Sequence, residues 1–138
     1  MRRPTANWCL MAVIAATLAA CSSSKEALVD PNVFPAQYKQ EIADTLSRTL
    51  SDPTNIRDAY VSDPALTPVG KDQRYTACVR YSARNASRQY TGSTDRIAYF
   101  YGGHLNQLVE ATKEQCGNAA YKPYPELQAL CLSEHKCV

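Results

Sequence analysis

The feature that most constrains this chain is the strict alternation from Arg74 to Ala83. Tyr75, Ala77, Val79, Tyr81 and Ala83 fall on one face, and Thr76, Cys78, Arg80 and Ser82 on the other. A period of two is that of a strand with one face turned to a core. A second segment has the same period. Arg96–Tyr101, then Gly102-Gly103, then His104–Glu110 predicts a hairpin, because two glycines accept the positive φ angles of a tight two-residue turn. Pairing outward from that turn places Ala98, Phe100, Leu105 and Val109 on the core face. Ile97, Tyr99, Tyr101, His104, Asn106 and Leu108 fall on the other.

Before these strands the period is close to four. Tyr38, Ile42, Leu46 and Leu50 predict an amphipathic helix that opens at Phe34-Pro35 and is stopped by Asp52-Pro53. Ile56–Val61 is a short strand ended by Asp63-Pro64, and polar Arg84–Ser93 is an exposed loop. Glu114–Tyr124 is irregular, and Pro125–Leu132 has room for two helical turns with Leu127, Leu130 and Cys131 inward. The fold class expected is therefore α+β, with an N-terminal amphipathic helix packed on a small three- to four-stranded antiparallel sheet. A short C-terminal helical turn completes it.

The N-terminus carries a different kind of pattern. Arg2 and Arg3 precede an apolar run from Trp8 to Ala20, broken only by Thr17. The run is shorter than the roughly 20 residues a bilayer-spanning helix needs, and it suits the hydrophobic region of a signal peptide. Its end, Leu18-Ala19-Ala20-Cys21, resembles the lipobox of bacterial lipoproteins at all four positions. The resemblance implies cleavage between Ala20 and Cys21, a diacylglycerol on the Cys21 thiol, and acylation of the new amine. One chain anchors only marginally, at ~0.8 kcal/mol per buried methylene, so two or three chains would hold the domain almost permanently. Ser22, where an Asp commonly retains lipoproteins at the inner membrane, points to the outer membrane. The expected organisation is a signal peptide over 1–20, a lipidated cysteine with a flexible polar tether over 21–33, and one small domain over 34–138 with a disulfide-closed tail.

Loss of the leader changes the charge balance. It holds two of the 15 basic residues and none of the 13 acidic ones, which leaves 13 against 13. The mature chain then has no basic excess, and nucleic-acid binding loses its usual footprint. Cysteine use changes as well. With Cys9 in the leader and Cys21 lipidated, Cys78, Cys116, Cys131 and Cys137 remain, an even set in an oxidising compartment. Three pairings are open. We prefer Cys78–Cys116, which ties the central strand to the segment leaving the hairpin, together with the short-range Cys131–Cys137.

A second resemblance covers about Phe34 to Leu127. Leu50-Ser51-Asp52-Pro53, Ile56-Arg57-Asp58-Ala59 and Tyr75–Asn85 are similar to a family of small exported proteobacterial proteins. So is the ending Tyr121-Lys122-Pro123-Tyr124-Pro125-Glu126-Leu127. The shared motifs are structural in character. They support the fold and the Cys78–Cys116 pair, and they supply no catalytic residues.

Chemistry is sparse. His104 lacks an acidic partner nearby in sequence, and a solvent-facing turn position is expected for it. Cys131, His135 and Cys137 are metal-like in type but one ligand short of a structural zinc site. Tyr60, Tyr75, Tyr81, Tyr99 and Tyr101 suit sheet packing better than a stacking platform. No catalytic residue, metal or cofactor is therefore assigned. The expected function is a non-catalytic interaction or assembly module of the cell envelope, facing the periplasm and bound to the membrane through Cys21, with another envelope protein as partner. An inhibitor of a hydrolase such as lysozyme is the alternative, and a hydrolase built on His104 ranks last.

Overall fold

The computed structural model describes residues 27–130. The lipobox, the cleavage site at Ala20-Cys21 and the Cys131–Cys137 pair lie outside the described residues. Chain order is α1 (Tyr38–Thr49), β1 (Asp52–Val61), β2 (Ala65–Val69), β3 (Asp72–Arg84), β4 (Tyr90–Tyr101), β5 (His104–Glu110), α2 (Lys113–Cys116), β6 (Lys122–Pro123) and α3 (Pro125–Gln128).

The expected helix on a three- to four-stranded sheet is not what forms. The described residues make a mostly antiparallel six-stranded sheet in the order β5-β4-β3-β1-β6, with β2 also paired to β3. The helices are short, at 12, 4 and 4 residues. Two strands escaped the sequence reading for physical reasons. The segment Ala65–Val69 contains Pro68 and is mostly exposed, so neither alternation nor burial marks it. It continues the line of β1 along the same edge of β3, after a break at Ser62–Pro64. Ser62 spans that break: its N–H donates to the Cys78 carbonyl at 2.8 Å, and its hydroxyl accepts from the Cys78 N–H at 2.9 Å. The two-residue strand β6 borders β1 through Tyr60 and Val61.

The expected loop Arg84–Ser93 is only half loop. Its polar residues from Tyr90 onward belong to β4, and the turn is confined to Asn85–Gln89. The Asn85 side chain builds that turn by accepting from the Ser87 and Gln89 amides at 2.9 and 3.0 Å.

Core residues follow the β3 alternation as expected. Ala77, Val79, Tyr81 and Ala83 join Ile42, Ala43 and Leu46 of α1, Ala98 and Phe100 of β4, and Tyr124 and Leu127 of the C-terminal segment. On the opposite face Cys78, Ile97 and Cys116 form a second cluster, flanked by Tyr99, Ala111, Ala119 and Tyr121. Cys78 and Cys116 are joined by a disulfide with a Cα–Cα distance of 5.7 Å. Cys116 is brought there by α2, whose Thr112 and Gln115 form a reciprocal capping box.

The Gly102-Gly103 hairpin is present, but its far arm differs from simple outward pairing. Tyr101 faces His104 and Phe100 faces Leu105, after which Tyr99 faces Gln107. Asn106 is the extra residue of a bulge, and one extra residue exchanges the faces of everything beyond it. Leu108 therefore packs on the core, while Val109, expected inside, is exposed.

Candidate functional site: an arginine-lined groove

Strand β1 is the irregular member of the sheet. Its register against β3 slips between Asp52 and Arg57 and again between Arg57 and Tyr60. Asn55 and Asp58, at φ 54° and 51°, accommodate those slips. With Arg88 at φ 60° in the β3–β4 turn, they are the non-glycine residues of left-handed backbone among those described. That conformation costs roughly 1–2 kcal/mol per residue and tends to cluster at functional sites.

Asn55 and Arg88 line one open groove of about 420 Å³, together with Ile56, Arg57, Arg84, Tyr90 and Gln128. The groove sits where β1, the end of β3, the β3–β4 turn and α3 converge. Three of its lining side chains are guanidiniums, and each is placed differently.

Arg84 is fixed. Its Nη2 lies 2.8 Å from Asp52 Oδ2 and donates to Thr54 Oγ1 at 3.0 Å. Thr54 in turn donates both its hydroxyl and its amide to Asp52 Oδ1. The hydrogen bond from the Thr54 hydroxyl, with Arg84 beside it, holds the Asp52 carboxyl below the usual carboxylate range. Arg84 Nε is buried without a hydrogen-bond partner, an arrangement that typically costs ~1–3 kcal/mol.

Arg57 is stacked, its guanidinium carbon 4.1 Å from the centroid of the Tyr90 ring. The Tyr90 hydroxyl donates to the Asn55 carbonyl at 2.6 Å, so the platform under Arg57 is itself held in place. A stacked guanidinium still offers its in-plane N–H edges to a ligand. Arg88 is carried outward by the turn. Neither Arg57 nor Arg88 joins an ion pair among the described residues.

None of these arginines was singled out from sequence as a site. Arg57 and Arg84 lie in the quoted motifs, but the groove is assembled from segments far apart in the chain. The signal for it in the sequence is the polar stretch that leads into and through the expected strand Ile56–Val61, where Asn55, Arg57 and Asp58 mark the bulges of β1.

The residues that were singled out lie elsewhere. His104 does have an acidic partner: its Nδ1 is 2.8 Å from Glu41 Oε1, and the other Glu41 oxygen accepts the Leu105 amide. The pair ties α1 to the edge strand β5, and His104 is largely exposed. The five tyrosines divide between surroundings. Tyr81 is buried in the main core and Tyr75 packs against it, Tyr99 packs against the disulfide cluster, and Tyr60 and Tyr101 are exposed. Among the described residues no group of three His, Cys, Asp or Glu side chains is placed to hold a metal ion, and no helix is long and apolar enough to cross a membrane. Comparison with protein-family models, curated proteins and solved structures gives no match for this chain.

Proposed function

We propose that this chain is a lipoprotein of the bacterial envelope that binds rather than catalyses. Lipid on Cys21 would hold it at the membrane, the outer one in preference to the inner, with its sheet domain in the periplasm and another envelope protein as partner. The observation that carries this reading is how the chain enters the domain. Residues 28–34 run over the surface at one end of the sheet, with Leu28 99%, Val29 60% and Phe34 51% exposed. Their contacts are with the β4–β5 turn, where the Gly102 amide donates to the Pro31 carbonyl, and with β3, where Phe34 meets Tyr75 edge-on. Such an entry suits a domain joined to an anchored N-terminus by a tether. The use of His104 is consistent with the same reading, because its bond to Glu41 joins two elements.

The test is fractionation with mass spectrometry of the mature N-terminus. The expected result is a membrane-bound protein whose first residue is Cys21 carrying diacylglycerol, and a Cys21→Ser variant that is released or unprocessed. An unmodified Cys21 thiol, or a variant that fractionates like the parent, overturns the proposal.

A further inference from the structure

We propose that the groove between the β1 bulges and the β3–β4 turn is a binding site for a doubly charged phosphoryl group, gripped by Arg57, Arg84 and Arg88. The proposal goes beyond the envelope reading and does not rest on it, since it concerns the groove whether or not Cys21 carries lipid.

Charge is the first reason. Beyond Arg3 the chain has as many acidic as basic residues, yet three guanidiniums line one groove. Asp52 pairs with Arg84, while Arg57 and Arg88 join no ion pair among the described residues and Arg88 only shares, from farther off, the field of the Asp52 carboxylate that Arg84 already holds. Like charges that outnumber the Asp52 carboxylate repel, and a multiply charged anion between them reverses the sign of that interaction.

The second reason is that the donors are preorganised. Tyr90 holds Arg57 flat from one side, Asp52 and Thr54 hold Arg84, and left-handed backbone at Arg88 carries the third arginine on a turn fixed by Asn85. Arg57 and Arg84, fixed in this way, lose little entropy when they fork an oxyanion, and the exposed Arg88 side chain closes on it from the turn.

The third reason concerns the kind of anion. A carboxylate offers one charge and two oxygens. A phosphoryl group offers about two charges and three strong acceptors, which matches the positive charge that Asp52 leaves over among three guanidiniums. At about 420 Å³ the groove also has room for more than the phosphoryl group. It suits a phosphate carried on a larger molecule, either a soluble phosphate ester or pyrophosphate, or a lipid headgroup.

The experiment titrates the full chain with pyrophosphate, inorganic phosphate and succinate by calorimetry, and separately measures its partition onto phosphatidylcholine vesicles with and without phosphatidate. Pyrophosphate is expected to bind saturably and more weakly as salt is raised. Arg57→Ala and Arg88→Ala are each expected to weaken it about ten-fold or more, the usual effect of losing a charge-assisted hydrogen bond. Arg88→Glu should abolish it. Arg48→Ala, on the exposed end of α1, should change nothing. Urea midpoints equal to that of the parent establish that the variants fold. Binding of the free anions assigns the groove to soluble phosphoryl compounds. A phosphatidate-dependent gain that Arg88→Glu removes, without binding of the free anions, assigns it to headgroups. Absence of both, equal loss in Arg48→Ala, or succinate binding as tightly as pyrophosphate overturns the proposal.

Discussion

Arg80 and Asp95 stand opposite each other across β3 and β4 and meet in a two-pronged fork, Nε to Oδ1 at 2.7 Å and Nη2 to Oδ2 at 2.9 Å. Tyr121 closes the group from the C-terminal segment. Its ring lies 4.5 Å from the Arg80 guanidinium carbon, and its hydroxyl donates to Asp95 Oδ1. Burial, with Asp95 beside it, pushes the Tyr121 phenol up to about 12, so it remains a donor throughout the physiological range.

The fork makes stability depend on acid. Hydrogen bonds from Arg80 are the largest cause holding the Asp95 carboxyl below its ordinary range. A carboxyl depressed on folding stabilises the protein at pH values above its unfolded pKa, near 4, and that contribution fades as pH falls through the lower folded value. Because the pair is partly exposed, its worth is limited to about 1 kcal/mol. Urea unfolding should show Asp95→Asn less stable than the parent by about that amount at pH 7, with the difference closing at pH values below about 4.

The Cys78–Cys116 disulfide closes a loop of 38 residues. On the chain-entropy model such a loop contributes roughly 4 kcal/mol, a large share of the stability of a domain this small. The Cys78→Ala/Cys116→Ala double variant should lose several kcal/mol in urea unfolding, with non-reducing peptide mapping confirming the bond in the parent.

Two glycines at positive φ separate strain from contact. At Gly92 an added Cβ meets nothing within 4 Å, whereas at Gly102 it would come within 2.8 Å of Val29 Cγ1. Both substitutions to alanine should cost roughly 1–2 kcal/mol from backbone strain. Only Gly102→Ala should also displace residues 28–34, and limited proteolysis should show faster cutting near Val29 in that variant alone.

Tyr124 is fully buried, and its hydroxyl donates to the Lys39 carbonyl of α1. Tyr124→Phe removes that hydrogen bond and should cost about 1 kcal/mol. Tyr124→Ala also opens a cavity and should cost about 3–5 kcal/mol. Thermal or urea unfolding of both variants measures the gap.

The parts of the fold that were readable in the sequence are those where burial repeats regularly. Tyr75 to Ala83 alternates because β3 has core on one side and the disulfide cluster on the other. The Gly102-Gly103 turn was readable because its φ values of 59° and 83° suit glycine. Periodicity failed where residues were inserted. The Asn106 bulge exchanged Leu108 and Val109, and the slips around Asn55 and Asp58 hid how far β1 extends toward Asp52. Exposed Ala65–Val69 gave no hydrophobic signal, so the continuation of β1 along β3 went unread. The groove was illegible because it is tertiary: Arg57, Arg84 and Arg88 meet only once β1 is laid against β3 and the turn folds over. Glu41 and His104 meet across 63 positions of sequence for the same reason.

Strand β4 gives the domain two poles. It begins at Tyr90, under Arg57 in the groove, and ends at Tyr101, beside the glycine turn against which the incoming chain lies. A strand advances about 3.3 Å per residue, which puts those ends roughly 35 Å apart. Whatever is joined to the chain on its N-terminal side and whatever fills the groove therefore meet the domain at opposite ends and do not compete for the same surface.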